Sequence, residues 1–239
     1  MRIVSLVPSL TELVWWLGRG DWLVGRTRFC AEPEGLIERV PSVGGTKDPD
    51  ITAITGLRPD LVIANREENR KEDVVAMEAA GLRVVLTDPD SIDQAVAMIV
   101  ELGALLGAAE RAQTLVADIK AGLAEPVSGP KVFVAVWKKP LLGLGSESYG
   151  HDLIERCGAR NVLGNRPRYP EITREELSGL APELILLPDE PYRFKERDQA
   201  EFSAIAPATI IDGRLLWWYG PRMPEAIRTL RALFAESTA

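Results

Sequence analysis

Two stretches of the sequence repeat one another, and this repeat constrains the fold more than any other feature. Residues 51–63 read ITAITGLRPDLVI and residues 172–186 read ITREELSGLAPELIL, with the same Gly-Leu pair and the same proline before an apolar run. A looser match between residues 12–25 and 152–164 comes earlier in each half, so both matches keep one order. Apolar strands and glycine-ended helices can resemble each other by chance, but two ordered matches favour a duplicated α/β unit.

Short apolar strands alternate with amphipathic helices through both halves. Uninterrupted apolar strands of this kind indicate parallel sheets that are covered on both faces. We therefore predict an α/β fold with two lobes, each a mainly parallel sheet flanked by helices. The predicted strands are Arg2–Leu6, Trp22–Gly25, Asp60–Ala64, Leu82–Thr87, Lys131–Trp137, Glu183–Leu187 and Ala208–Ile211.

A long helical stretch, Ser91–Ala124, lies between the two copies. Apolar residues recur in it at helical spacing, and Gly107 marks a break. We predict that the part before the break belongs to the first lobe and the part after it connects the lobes. The expected boundaries are 1–107 for the N-terminal lobe, 108–125 for the connecting helix and 126–239 for the C-terminal lobe.

The amino-acid composition limits the classes of function that this chain can have. The 28 basic and 35 acidic residues give a net charge of −7, which argues against a nucleic-acid partner. The two cysteines, Cys30 and Cys157, are too few for a disulfide framework and are interpreted as ordinary thiols. No apolar stretch has the roughly 20 residues of a membrane span, and the start of the chain does not read as a secretory signal. We therefore expect a cytoplasmic protein if the chain is complete, and an extracytoplasmic one if a leader has been removed.

The sequence offers little for catalysis or for metal binding. The single histidine, His151, has no companion ligands for a zinc-type site, and it is interpreted as a polar or capping residue. No nucleophile motif occurs, so we predict no catalytic residues, no metal site and no intrinsic cofactor. Paired acids such as Glu67-Glu68 are interpreted as solvated residues that open a helix over Glu67–Ala80.

Aromatic residues point instead to a binding surface. Trp217, Trp218 and Tyr219 follow a predicted strand, Trp137 ends another, and Phe29 follows a third. Ligands bind at the carboxyl ends of parallel strands, so these rings could line a site for a large flat ligand. Core packing is the alternative, and it is preferred for Trp15 and Trp16 inside an amphipathic helix. The further candidate contacts are the polar Thr46 and Asn65 and the charged Arg66 and Arg222.

Several motifs together resemble one family. RIVSLVPSLTELVWWLG at the start, VGGTKDPDITAITGLRPDLVIAN, EITREELSGLAPELILL and the WYGPR tail occur in an order and spacing similar to those of the helical-backbone substrate-binding proteins of ABC importers. That class binds cobalamin, iron–siderophores and haem, and the resemblance is closest to the cobalamin-binding branch. It implies two lobes joined by a long helix, with a corrinoid or other chelated-metal ligand in the cleft between them.

The resemblance also assigns roles to residues. Aromatic contacts of the cobalamin binders fall on Phe29, on Asn65 and on Trp217 or Trp218. Glutamates that dock on an ABC permease fall on Glu175 and on Thr52, with Asp50 close to the second position. We expect a non-catalytic monomer that binds cobalamin or another corrinoid, haem or a siderophore, with a permease partner or as a cytoplasmic relative without one. The alternative is a chelatase-like enzyme acting on a tetrapyrrole in the same cleft.

Overall fold

The computed structural model describes residues 1–125 and 127–237, and it divides the chain into two compact units. Unit 1 comprises Met1–Asp88, Ala97–Leu115 and Tyr219–Pro221, and unit 2 comprises Pro89–Val96, Val116–Trp218 and Arg222–Ala239. The predicted lobe boundary at residue 126 lies outside the described residues. The boundaries 1–107, 108–125 and 126–239 stay predictions.

Unit 1 contains a parallel sheet of short strands. Its strands are β1 (Ile3–Ser5), β2 (Leu23–Arg26), β3 (Leu61–Asn65) and β4 (Val84–Thr87). They pair in the order β2-β1-β3-β4, and every pairing is parallel. All four carboxyl ends therefore lie at one edge of the sheet, which we call the carboxyl edge of unit 1.

Helices follow the strands of unit 1 in turn. They are α1 (Pro8–Trp16), α2 (Ile51–Gly56), α3 (Lys71–Ala79) and α4 (Ile92–Leu105). The predicted break at Gly107 is confirmed, since its φ of +62° is left-handed backbone that glycine adopts without strain. Arg19 holds this turn by donating from Nε to the carbonyl of Leu106 at 2.8 Å. The next helix, α5 (Ala109–Gly122), contains residues of both units.

Unit 2 contains a second sheet, built around one long strand. Its strands are β5 (Lys131–Trp137), β6 (Leu142–Gly143), β7 (Arg160–Asn161), β8 (Leu184–Pro188) and β9 (Ala208–Ile211). Strands β7, β5, β8 and β9 are parallel neighbours in that order, and the two-residue β6 pairs antiparallel with β5 near its end. The helices of this unit are α6 (Tyr149–Arg156), α7 (Arg174–Gly179), α8 (Glu196–Ser203), α9 (Arg214–Trp217) and α10 (Met223–Glu236).

The two sheets have one topology, which supports the duplication that the sequence predicts. The order β2-β1-β3-β4 of unit 1 corresponds to β7-β5-β8-β9 of unit 2. The repeated segments also share their local geometry: Asp50 caps α2 and Thr173 caps α7, each by accepting a backbone N–H three residues on. Arg58 and Ala181 both have a φ of +47° directly before the shared proline. The predicted α/β class with mainly parallel sheets is confirmed.

Within residues 1–125 and 127–237, no helix is long and apolar enough to cross a bilayer. Cys30 and Cys157 are buried free thiols, as predicted.

Candidate functional site

Phe29 is the exposed ring at the carboxyl edge of unit 1. It follows β2, and 53% of it is exposed although it is a large apolar side chain. The guanidinium of Arg28 lies 4.9 Å from the ring centroid, and Arg28 also pairs with the carboxylate of Asp48 at 2.9 Å. Phe29 is therefore held on the surface and not in the core, as a ligand contact would require.

Asn65, the last residue of β3, is only 1% exposed and is engaged inside unit 1. Its Nδ2 donates to the carbonyl and hydroxyl oxygens of Thr87 at 3.0 and 3.2 Å. Its Oδ1 accepts from the backbone N–H groups of Glu67 and Glu68. The amide thus shapes the turn that follows β3, and its predicted contact with a ligand stays a prediction.

The turn after β3 corrects the predicted helix start at Glu67. Asn65 and Asn69 hold residues 65–69 in a turn, so α3 begins at Lys71. Glu68 is half-buried and is not a solvated helix-start residue. Burial raises the pKa of its carboxyl group, the positive charge of Lys47 opposes this shift, and the negative charge of Glu67 adds to it.

Thr46 and Arg66 lie on either side of this turn. Thr46 is buried, and its carbonyl accepts from Nδ2 of Asn69 at 2.9 Å. Arg66 is exposed, and its guanidinium pairs with Asp88 at 3.0 Å. Both residues lie at the carboxyl edge of unit 1, and their predicted contact with a ligand stays a prediction.

A second aromatic surface lies at the carboxyl edge of unit 2. Trp137 is the last residue of β5 and is 40% exposed. The rings of Trp137 and Tyr192 form a T-shaped pair with their centroids 5.3 Å apart. The rings of Tyr192 and Phe194 form a second T-shaped pair with a centroid distance of 4.7 Å. Phe194 in turn packs against the buried Phe202, so a row of contacting rings links the exposed indole to the core. The sequence did not single out Tyr192.

Trp217 and Trp218 lie at the end of α9, a short helix where the sequence predicted a loop. The Nε1 of Trp217 donates to the backbone carbonyl of Glu190 at 2.7 Å. The guanidinium of Arg222 lies 5.3 Å from the ring centroid of Trp218. Both rings are half-buried, and the hydrogen bond to Glu190 orients the Trp217 ring.

Glu190 is a contact of the candidate residue Trp217 that sequence reasoning missed. Burial raises its pKa to about 7, against an opposing hydrogen bond from Trp218, and the charges of Asp189 and Asp212 raise it further while Arg214 lowers it. The available signal was its position, two residues after β8 at the carboxyl edge. An acidic residue there is unremarkable by itself, since its contacts come from a distant part of the chain.

Tyr219 differs from its two aromatic neighbours. It is 7% exposed, and the segment Tyr219–Pro221 belongs to unit 1. Gly220, with a φ of +126°, lies in this segment against Leu13 of α1. Tyr219 is therefore placed with the first unit, whereas Trp217 and Trp218 belong to the second.

The two positions to which the family resemblance assigns docking, Glu175 and Thr52, occupy matching places in the two units. Glu175 is the second residue of α7 and is exposed, and Thr52 is the second residue of α2. Asp50 is the exposed N-cap of α2, and its carboxylate accepts from the backbone of Ala53 at 2.9 Å. The equivalence of Glu175 and Thr52 supports the alignment of the two repeats.

Comparison with known proteins identifies the family. Residues 3–205 match the family model described as periplasmic binding protein. The chain belongs to the periplasmic binding protein family. The predicted resemblance to helical-backbone substrate-binding proteins is thereby confirmed.

Curated members of this family are similar over most of the chain. The vitamin B12-binding protein of Photorhabdus laumondii is 24% identical over 194 residues, covering 78% of this chain and 70% of that protein. The vitamin B12-binding protein of Yersinia pestis is 27% identical over 195 residues, covering 78% of this chain and 69% of that protein.

Solved structures show the same fold. The periplasmic vitamin B12-binding protein of Vibrio cholerae superimposes with a TM-score of 0.81 at 21% identity, covering 99% of this chain and 97% of the other. A periplasmic haem-binding protein of Pseudomonas aeruginosa gives a TM-score of 0.83 at 26% identity, covering 99% and 93%.

The candidate surfaces of this family member carry no recognisable metal centre of their own. Within residues 1–125 and 127–237, no three His, Cys, Asp or Glu side chains are grouped to hold a metal ion. His151 pairs with the amide of Asn161, 3.0 Å from its Nδ1, which agrees with the polar role predicted for it.

Proposed function

We propose that this protein is a non-catalytic binding protein for a corrinoid or another chelated-metal ligand, acting as the substrate-binding component of an ABC importer or as a relative of one. One observation carries the proposal: three indoles, Trp137, Trp217 and Trp218, are held at the carboxyl edge of a parallel sheet. Large rings fixed in this way suit a broad, flat ligand. Relatives in the family are named for vitamin B12 and haem, which are ligands of that shape.

Each unit carries its own set of proposed ligand contacts. Unit 2 contributes its three indoles and Arg222, and we add Tyr192 because it supports Trp137. Unit 1 contributes Phe29, Tyr219 and Arg66 as direct contacts. Thr46 and Asn65 act mainly by shaping the turn that carries Arg66, since both are buried.

Tryptophan fluorescence tests the proposal directly. Adding cyanocobalamin or cobinamide is expected to quench the emission in a saturable way, because the indoles would contact an absorbing ring. Haemin and a ferric siderophore are the comparison ligands, and calorimetry on the same samples separates binding from optical filtering. The absence of a saturable signal with all of these ligands would refute the proposed function.

A permease partner and an extracytoplasmic location complete the proposal. An importer's binding protein works outside the cytoplasmic membrane, and Glu175 is exposed at the place that the family resemblance assigns to docking. The carboxylate of Asp50 already caps α2, so we expect Asp50 to contribute less than Glu175 to binding a permease. The stimulation of a reconstituted permease's ATPase by this protein, and its loss in Glu175→Ala, is the measurement that checks this part.

A further inference from the structure

Two stretches of unit 2 meet in the ring pair of Trp137 and Tyr192, and the buried carboxylate of Asp198 contacts both stretches. We propose that Asp198 is a positioning residue, which holds Trp137 against Tyr192 as a preformed aromatic surface for the ligand. The inference rests on the proposed function, since it requires Trp137 to contact the ligand. The positioning itself is a property of the ligand-free protein.

The two carboxylate oxygens of Asp198 have different partners. Asp198 is the third residue of α8, and its side chain is 0% exposed. Its Oδ2 accepts the backbone N–H of Lys195 at 2.9 Å, which is a usual contact at the start of a helix. Its Oδ1 accepts from Nζ of Lys138, sixty residues earlier in the chain, at 2.5 Å. Capping α8 needs only the first contact, so the second one serves to join the end of β5 to α8.

Both contacts lie close to the aromatic residues in the chain. Lys138 directly follows Trp137, the last residue of β5, and Lys195 comes three residues after Tyr192. The centroids of the two rings are 5.3 Å apart. Movement of either stretch away from the other would break a contact of a buried carboxylate, which is costly. Asp198 therefore fixes the backbone beside each ring.

Burial makes the bond between Lys138 and Asp198 the important one of this cluster. The Lys138 side chain is only 12% exposed, so little water competes for either charge. Glu201 also accepts from Lys138, at 3.0 Å, but its side chain is 47% exposed. Arg197 approaches Oδ1 of Asp198 to 3.7 Å, and its side chain is 74% exposed. The exposed partners contribute less to holding the two stretches together.

A fixed ring favours binding because less freedom is lost when the ligand arrives. Trp137 is 40% exposed, and a side chain of this kind loses conformational entropy when a ligand immobilises it. Holding the ring in place beforehand reduces that loss. Releasing it is therefore expected to weaken binding, although no contact between protein and ligand has been removed.

Asp198→Asn removes the bridge with almost no change in side-chain volume. An amide has one acceptor oxygen, and its nitrogen can only donate. Either Nζ of Lys138 or the N–H of Lys195 would then face a donor. Glu201→Gln is the matched control, since it also turns a carboxylate that contacts Lys138 into an amide but leaves both contacts of Asp198 in place.

Fluorine NMR on protein labelled with 5-fluorotryptophan measures the positioning without any ligand. The chain has six tryptophans, and the Trp137 resonance is the one that disappears in Trp137→Phe. Asp198→Asn should shift or broaden this resonance, because the ring is released. The resonance of Trp22 in unit 1 should not change. Glu201→Gln should leave both resonances as they are in the wild type.

Calorimetry with cyanocobalamin and with haemin measures the consequence for binding. Asp198→Asn should weaken binding by about threefold to tenfold, whereas Glu201→Gln should keep the affinity within about twofold. In a Trp137→Ala background, Asp198→Asn should cause less than about twofold further loss, because its effect depends on the position of that ring. In a Trp217→Ala background its full effect should remain.

A second variant covers the case in which Asp198→Asn does not fold, as judged by circular dichroism. Combining Asp198→Leu with Lys138→Met replaces the ion pair by apolar side chains, an exchange that buried pairs often tolerate. This double variant also lacks the bridge, so it should show the same change of the Trp137 resonance and the same loss of affinity.

The outcomes separate the inference from the proposed function. An unchanged Trp137 resonance in the variants without the bridge would overturn the positioning role, whether or not a ligand binds. A changed resonance with wild-type affinity, or a full further loss in the Trp137→Ala background, would overturn the link to the ligand. If the wild type binds none of the ligands tested, the proposed function fails together with that link, and fluorine NMR alone decides the positioning role.

Discussion

Trp15 and Trp217 are both half-buried, but their surroundings differ in kind. Trp15 packs against Gly20 so closely that a Cβ at residue 20 would lie 1.9 Å from the ring. Trp217 lies at the carboxyl edge of unit 2, with its N–H directed to Glu190. We therefore expect Trp15→Ala to lower the free energy of unfolding by about 2–4 kcal/mol with little effect on affinity. Trp217→Ala should weaken corrinoid binding at least about tenfold.

Urea denaturation and calorimetry on the same two variants check this pair of expectations. Trp217→Ala also loses a hydrogen bond, so some loss of stability is expected there, of about 1 kcal/mol for the bond itself. The deciding quantity is affinity measured on folded protein at low temperature. Equal affinities of the two variants would contradict the assignment of Trp217 to the ligand surface.

The individual site residues were predictable from sequence only where their chemistry is visible locally. Trp137 and Trp217 could be found because large rings follow predicted strands. Glu190 and Tyr192 could not, since their importance comes from contacts with residues far away in the chain. Asn65 was placed correctly at the edge, but the sequence could not reveal that its amide is used within the unit.

At the scale of elements, Gly103 allows α4 and α5 to approach closely after the break at Gly107. A Cβ on Gly103 would lie 2.3 Å from Cβ of Ala112, which is closer than real side chains pack. Gly103→Ala must therefore push the helices apart, and we expect it to lower the free energy of unfolding by about 1–3 kcal/mol despite the better helix propensity of alanine. Chemical denaturation measures the change.

Gly56 provides the matched control for this substitution. It also lies in a helix, α2, but no atom lies within 4 Å of where its Cβ would be. Gly56→Ala should leave stability unchanged or raise it by up to about 1 kcal/mol, because only the backbone entropy of the unfolded chain changes. A loss at residue 56 as large as at residue 103 would mean that the effect is not helix packing.

The elements themselves were largely predictable because apolar strands and amphipathic helices leave a pattern in the sequence. The bounds of β5 and β9 agree with those predicted from the apolar pattern. The two-residue strands β6 and β7 were missed, since two residues have no periodicity to detect. The start of α3 was wrong by four residues because the side chain of Asn65 competes for the backbone N–H groups of the first turn.

At the scale of the whole molecule, the duplication was predictable, whereas nothing in the sequence indicated the grouping of Tyr219–Pro221 with unit 1. Sequence repeats report local order, so they indicated two consecutive lobes. The structure instead places Tyr219–Pro221 with unit 1, although the residues on both sides of it belong to unit 2. The grouping of Tyr219–Pro221 with unit 1 depends on packing between distant segments, and such packing leaves no periodic pattern in the sequence.

Because segments of one unit are flanked in the sequence by residues of the other, we expect the two units to unfold together. Unfolding of unit 2 would release both ends of Tyr219–Pro221, and part of α4 and α5 would lose its helical continuation at the same time. Native-state hydrogen exchange followed by mass spectrometry can compare β3 and β8, which are both buried throughout. The slowest amides of the two strands should report opening free energies that agree within about 1 kcal/mol, as expected for a single cooperative transition. If β8 opened more easily than β3 by several kcal/mol, the units would be independent, and separate unfolding of unit 2 would expose Trp217 and Trp218 without loss of unit 1.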